Sequence, residues 1–367
     1  MNVASTVGGQ ASIPVRNIWH LLLYAWDFAD WKGRWSAEAE ASPTLLALFA
    51  RVLAATVRDL LRTQLARTFL TRRETIRGIR GRIELGASLR RLDLQAGRVH
   101  CAFAQLEVDT PRNRILKATL ARLSTDSRLE PAATSDHVSE LRAELRKLVR
   151  AFEGVKLVPI STADFGRLQL GRNDRSYAVP LAICQLLHQL QMPTEHTGDH
   201  AIVALLTDEM RMSTIYETFV RNFYRVHLPE HAVRSEKLKW SDEPLSPFMP
   251  EMRTDITITA PAPHTRRVVI DTKFSSTTLA KGRHGSAKFK SGNLYQLYTY
   301  LRTQEHRGEA FRSAEGLLLY PTTTIELNET IVLQGHRIQL ATVDLRQPWQ
   351  DIEARLLTLV QPAKPAA

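Results

Sequence analysis

The sequence predicts a mixed α/β protein (α+β overall) in two domains, and three observations predict it. The chain has 367 residues, enough for two or three domains of roughly 100–200 residues each. Beyond residue 200, segments with helical apolar spacing alternate with segments of strand composition, the pattern of an α/β domain. Before residue 200, helical segments surround a stretch from Thr68 to Phe103 that Gly78, Gly81, Gly86 and Gly97 cut into short strand-like pieces. The expected organisation is a mixed N-terminal domain with helices and a small β-barrel-like region (residues 1–198). An α/β domain (199–362) and a disordered tail (363–367) follow. The polar run Gln191–Asp199, with Pro193 and Gly198, sets the boundary.

Taken in order, Trp19, Leu22, Leu23 and Trp26 recur at three- and four-residue spacing and predict a short helix with one buried face. Ser42-Pro43 reads as the start of a second helix running to about Arg67, its stripe formed by Leu45, Leu46, Phe49, Leu53, Val57, Leu60 and Leu61. Asp109-Thr110-Pro111 opens another helix. Further helices are expected over Ser135–Phe152 and Val179–Leu190. In the C-terminal half the expectation is a helix near Asp208–His227, a strand pair within Arg253–Phe274 and a helix over Asn293–Arg302. Strands near Gly316–Tyr320 and Arg337–Asp344 follow, then a closing helix over Pro348–Val360.

Composition narrows the function. Lys and Arg outnumber Asp and Glu 49 to 38, a net charge of +11, which favours a polyanionic partner without separating a DNA enzyme from a passive binder. The alternative is a solvated arginine-rich surface. No stretch has the ~18 apolar residues of a membrane span, and the N-terminus lacks the pattern of a secretory signal. Cys101 and Cys184 cannot frame a disulfide scaffold; the expected location is cytoplasmic. No GxxxxGK[ST] loop occurs, so the chain is not expected to bind a nucleotide itself. The twelve histidines form no His-x₃-His or Cys–His cluster of the kind that holds zinc.

The residues that could do chemistry lie in Met252-Arg-Thr-Asp255-Ile-Thr-Ile258 and Val268-Val-Ile-Asp271-Thr-Lys273-Phe274. Between them, Ala260-Pro-Ala-Pro-His264 cannot continue either strand, because proline lacks a ladder donor. An antiparallel hairpin turning near Pro261–Pro263 sets Asp255 opposite Asp271. Ile256, Ile258, Val268, Ile270 and Phe274 then share one face, and Asp255, Asp271 and Lys273 the other. Carboxylates directly opposed across a ladder repel. A divalent cation offsets that repulsion, and hard carboxylate oxygens suit Mg²⁺ or Mn²⁺. The lysine beside them could orient water or stabilise phosphate charge. The spacing leaves a second possibility open, a surface hairpin with an Asp–Lys ion pair.

The arrangement resembles the PD-(D/E)xK nuclease superfamily, whose metal ligands sit on such a hairpin; here Thr254 replaces the proline before the first aspartate. In the helix that follows, Gln296 and Tyr300 lie one turn apart, away from Leu294, Leu297 and Leu301. They match the Gln-x-x-x-Tyr of RecB-like nucleases, which supports the site or contacts DNA. Glu217 matches a first-helix glutamate that such nucleases use as a further metal-site carboxylate. However, a stripe of Met212, Ile215, Phe219, Phe223 and Val226 leaves it nearly opposite the core, where it would simply be solvated.

Across the chain, landmarks occur in the order of the McrC family, the nuclease subunit of the McrBC modified-cytosine (type IV) restriction system. They are Ile13-Pro-Val-Arg-Asn-Ile18, Gly78-Ile-Arg-Gly-Arg-Ile-Glu84, Asn113-Arg-Ile-Leu-Lys117, Tyr216-Glu-Thr-Phe-Val220, the two hairpin segments, Asn293-Leu-Tyr-Gln-Leu297 and Gly316-Leu-Leu-Leu-Tyr-Pro321. The resemblance implies that Asp255, Asp271 and Lys273 cut double-stranded DNA carrying modified cytosine, with Asp255, Asp271 and Glu217 holding Mg²⁺ or Mn²⁺. It also implies an N-terminal domain that docks onto a McrB-like AAA+ GTPase ring and stimulates it. Arg72–Arg91 is then either a ring contact or a folded core with its arginines outside. A stand-alone RecB-like nuclease and a partner-activating subunit without nuclease activity are the alternatives.

Overall fold

The fold is given by a computed structural model that describes residues 13–31, 33–35, 38, 42, 44–63, 65–129, 135–171, 174–189, 209–241, 246, 248–263, 266–274, 279–281, 287–322 and 326–362. Pro43, the boundary run Gln191–Asp199 and the tail 363–367 lie outside them. The chain forms two compact units, residues 46–199 and residues 1–45 with 200–367. The N-terminal segment thus belongs with the C-terminal unit, unlike the expected division of 1–198 from 199–362. Helix α1 (Val15–Ala25) shows why. Leu21 and Tyr24 enter the same core as Phe219, Trp349 and Ile352. The fully buried Asn17 donates to the carbonyls of Leu345 (2.7 Å) and Gln347 (2.9 Å).

In the unit 46–199, α2 (Leu45–Thr63) precedes strands β1 (Thr68–Ile76), β2 (Arg82–Ile83) and β3 (Val99–Glu107), with the short α3 (Leu85–Arg90) between the last two. These strands make an open antiparallel sheet in the order β1-β3-β2 rather than a closed barrel. Its arginines lie outward: Arg72 pairs with Glu107 and Arg73 with Glu84, and Arg80 covers the Phe103 ring. Gly81 has φ +67°, and a Cβ there would meet the Ala102 carbonyl at 2.5 Å, so only glycine fits. Helix α4 (Pro111–Leu123) starts as its sequence dictates, with Pro111 in the first turn and the Thr110 hydroxyl accepting from the Asn113 N–H. Helices α5 (Ser135–Ala151), α6 (Thr162–Gly166) and α7 (Arg175–Gln189) complete the unit.

The other unit continues from α8 (Glu209–His227) through β4 (Ala232–Arg234), β5 (Lys237–Leu238), β6 (Met252–Arg253), β7 (Ile256–Thr259) and β8 (Arg267–Thr272). Next come β9 (Leu279–Lys281), β10 (Ala287–Phe289), α9 (Ser291–Arg302) and α10 (Glu309–Arg312). Strands β11 (Glu315–Pro321), β12 (Asn328–Leu333) and β13 (His336–Val343) and helix α11 (Trp349–Leu359) end it. Six strands form one mixed sheet, β12-β13-β11-β8-β7-β4, in which β11 runs parallel to both β8 and β13. Its central strand β11 is an apolar run buried on both faces. One face packs against α1, α8 and α11 and the other against α9. Strand β12 escaped the sequence reading because it is an edge strand with most side chains exposed, which blurs its alternation.

Gly316 sets how close α9 can come. A Cβ at this position would lie 3.0 Å from Leu297 Cδ2 and 3.1 Å from Leu301 Cδ1. Gly316→Val is therefore expected to push α9 off the sheet and cost about 1–3 kcal/mol by overpacking. A urea unfolding midpoint equal to wild type would contradict this close packing.

Candidate active site

The hairpin forms with the register its residues demand. Strands β7 and β8 are antiparallel, with Ile256 against Ile270 and Ile258 against Val268. These four residues enter the core shared with α8, against which Phe274 packs. One step further along the same register sets Asp255 against Asp271. Asp255 itself lies in a bend just outside the ladder. Its Oδ2 accepts from the Thr272 backbone N–H at 2.7 Å and from the Thr272 hydroxyl at 3.0 Å. Thr254, in the proline position, is buried and bonded through its hydroxyl to the Glu236 N–H and to Thr257. A hydrogen-bonded threonine thus fixes the bend that proline would fix by its ring.

Asp271 is fully buried. Neither carboxylate oxygen has a hydrogen-bond donor among the described residues. Oδ2 has the ion-pair contact with Lys273 Nζ, 2.8 Å away, outside hydrogen-bond geometry. Burial and the neighbouring Asp255 push the Asp271 carboxyl up to about 7 against the pull of Lys273. Burial pulls the Lys273 ammonium down, but its attraction to Asp271 outweighs that and leaves it raised. Lys273 Nζ also donates to Gln296 Oε1 at 3.0 Å, and Gln296 Nε2 donates to the Tyr300 hydroxyl at 2.8 Å. The structure thus brings Asp255, Asp271, Lys273, Gln296 and Tyr300 together. Leu297 and Leu301 face the core beside them.

Glu217 is placed differently from the helical reading. The buried stripe of α8 is Met212, Tyr216, Phe219, Val220, Phe223 and Tyr224, while Val226 is 48% exposed. Two buried tyrosines rotate the stripe, so Glu217 flanks it at about 100° rather than facing away. There Glu217 is half-buried. Burial and Asp255 raise its carboxyl, while Arg221, bonded to Oε1 at 2.8 Å, lowers it. Glu217 therefore stands within the field of Asp255. Among the described residues, however, no three His, Cys, Asp or Glu side chains converge into a ready metal cage.

Two residues that the sequence reading gave only as landmarks, with no role in the site, border it. Tyr320 lies in β11 one step beyond Leu319, which pairs with Thr272, and its hydroxyl accepts from Asn293 Nδ2 at 2.9 Å. Asn293 precedes Gln296 by three residues, so one face of α9 carries Asn293, Gln296 and Tyr300. That spacing was the signal available.

The site's donor set fits a hard divalent cation. A buried carboxylate without donors is costly, and Asp255 beside it supplies a second anionic oxygen donor. The mixed sheet with helices on both faces and this carboxylate–lysine strand end is an α/β architecture of the restriction-endonuclease-like kind. The model of the McrBC 5-methylcytosine restriction system component family matches residues 16–321, and the chain belongs to that family. It is 32% identical over 356 residues to the type IV methyl-directed restriction enzyme EcoKMcrBC of Escherichia coli K12, covering 95% of this chain and 98% of that relative. Its fold is similar to a chain of the half-complex from the tetradecameric assembly of Thermococcus gammatolerans McrB AAA+ hexamers with bound McrC. There the TM-score is 0.56 at 18% identity, over 95% of this chain and 76% of that one. No described helix is long and apolar enough to cross a membrane.

Proposed function

We propose that this chain is the DNA-cleaving subunit of a GTP-dependent, modified-cytosine-specific restriction complex. The observation that carries the reading is the buried Asp271 carboxylate, ion-paired with Lys273 and without a hydrogen-bond donor among the described residues, beside Asp255. Asp255 and Asp271 would hold Mg²⁺ or Mn²⁺, with Glu217 as a further carboxylate toward it. When bound, the metal supplies Lewis-acid activation of the phosphodiester and of water. Lys273 forms an ion pair with Asp271 and donates to Gln296, and its charge serves to stabilise a phosphate oxygen or to orient the attacking water. Tyr300 fixes the Gln296 amide with its oxygen toward Lys273. Family membership supports the partner, a McrB-like AAA+ GTPase ring that the unit 46–199 engages and stimulates, and the substrate, double-stranded DNA carrying modified cytosine.

The test is cleavage of methylated and unmethylated plasmid with Mg²⁺, using the full chain with its GTPase partner, with and without GTP. Cutting that needs GTP and methylation and is lost in Asp271→Ala is the expected result. Cutting without partner or GTP would replace the reading by a stand-alone nuclease. No cutting with GTPase stimulation intact would leave a partner-activating subunit.

A further inference from the structure

Asn293 and Tyr320 stand in two of the landmark segments, and neither the metal shell nor the lysine chemistry gives them a task. The fold sets both close to Lys273. The Lys273 backbone N–H donates to the Leu319 carbonyl at 3.0 Å. The β8–β11 register, carried one step past Thr272 and Leu319, therefore places Tyr320 beside Lys273. Val269, Leu318 and Tyr320 face α9, and alternation puts Asp271 and Lys273 on that same face of the sheet. Burial pushes the Tyr320 hydroxyl up and the Asn293 bond opposes it, while the charges of Asp271 and Lys273 both reach it.

Helix α9 is held unevenly. Its buried residues Leu297, Tyr300 and Leu301 all lie in its second half, where Gly316 lets the helix come close. The first half carries Gln296, and its one apolar anchor there, Leu294, is only partly buried. Asn293 Nδ2, donating to the Tyr320 hydroxyl at 2.9 Å, ties that half to β11. One turn on, Lys273 Nζ donates to Gln296 Oε1 at 3.0 Å and ties the helix to β8. Two polar bonds on one helix face thus reach two neighbouring strands. Tyr320 is only 2% exposed, too enclosed to meet a substrate itself.

We propose that Tyr320 and Asn293 are positioning residues for DNA cleavage, their bond seating the first half of α9 so that Gln296 meets Lys273. The inference rests on the reading of Asp255, Asp271 and Lys273 as a cleavage site, and adds what keeps the lysine's partner in place. Without the tie, the start of α9 is free to lift from the sheet, and the Lys273 ammonium loses the amide oxygen that orients it. Displacing a positioned group costs rate rather than binding.

The experiment uses Tyr320→Phe, which removes one hydroxyl, and Asn293→Ala, in which alanine leaves the helix itself no weaker. Each is made alone and combined with Gln296→Ala. With the GTPase partner, GTP and Mg²⁺, each single variant is expected to lower kcat on methylated plasmid by about 3–10-fold, the worth of one hydrogen bond, with KM unchanged. In the Gln296→Ala background neither should lower it further. Amide hydrogen exchange of the full chain in EDTA gives a second readout, free of activity. Leu294, Tyr295 and Gln296 are expected to exchange about 3–10-fold faster in both variants, with Leu301 and Arg302 unchanged. A wild-type kcat, a rise in KM alone, full additivity with Gln296→Ala, or exchange that rises equally along the helix would overturn the proposal. A wild-type complex that leaves the plasmid uncut would remove the nuclease reading and the positioning role with it. Normal cutting by both wild type and Tyr320→Phe would remove the positioning role alone.

Discussion

Asp271→Asn is expected to stabilise the metal-free chain while abolishing cleavage. In the fold the carboxylate is fully buried, lacks hydrogen-bond donors and lies beside Asp255. Its ionised form is therefore disfavoured relative to the unfolded chain, as its raised pKa also states. Asparagine keeps the shape and removes the charge; relieving the disfavoured buried charge, worth about 1–3 kcal/mol, is expected to outweigh the lost ion pair with Lys273. The gain is measured as a higher urea midpoint in EDTA at pH 8. Adding Mg²⁺ should raise the midpoint of wild type and leave that of the variant nearly unchanged, because only the former binds the ion. A variant less stable than wild type in EDTA would show that Asp271 is a structural ion-pair partner. Sites built for function often hold such strain, and removing it commonly trades activity for stability.

Lys273→Met should act in the opposite sense on stability although it breaks the same pair. The Lys273 ammonium is raised in the fold, so its charged form is favoured there, and removing it leaves Asp271 buried without a counter-charge. Breaking a buried pair from one side costs about 3–5 kcal/mol; the Lys273 side chain is 25% exposed, so about 2–3 kcal/mol is expected. Combining Lys273→Met with Asp271→Asn should recover most of that loss and none of the activity. Cleavage by Lys273→Met alone should fall by about 10²–10⁴-fold, the range for losing a positioned proton-transfer group. Additive losses in the double variant would show that the two side chains are not coupled. Cleavage within tenfold of wild type would remove Lys273 from the chemistry.

The site was legible in the sequence where its geometry is local. Prolines at 261 and 263 mark the turn, period-two alternation separates Ile256 and Ile270 from Asp255 and Asp271, and helical spacing joins Gln296 to Tyr300. Each inference needs only the repeat of one element. Glu217 was misjudged because tyrosine is ambiguous in a hydrophobic pattern: Tyr216 and Tyr224 are wholly buried, and counting them turns the helix. Asn293 and Tyr320 were read only as family landmarks, not as site residues, because their pairing joins a strand to a helix 27 residues away.

By itself, the sequence determined the hairpin, the helix starts such as Thr110-Pro111, the charge excess and the order of the site residues. These follow from short-range rules of backbone conformation and from composition. Only the tertiary structure decided that α1 joins the C-terminal unit, that the glycine-punctuated strands stay an open sheet, and that Asp271 is sealed from solvent without a donor. Those outcomes depend on which distant surfaces bury one another. An apolar face records that it will be covered, and only packing records by what.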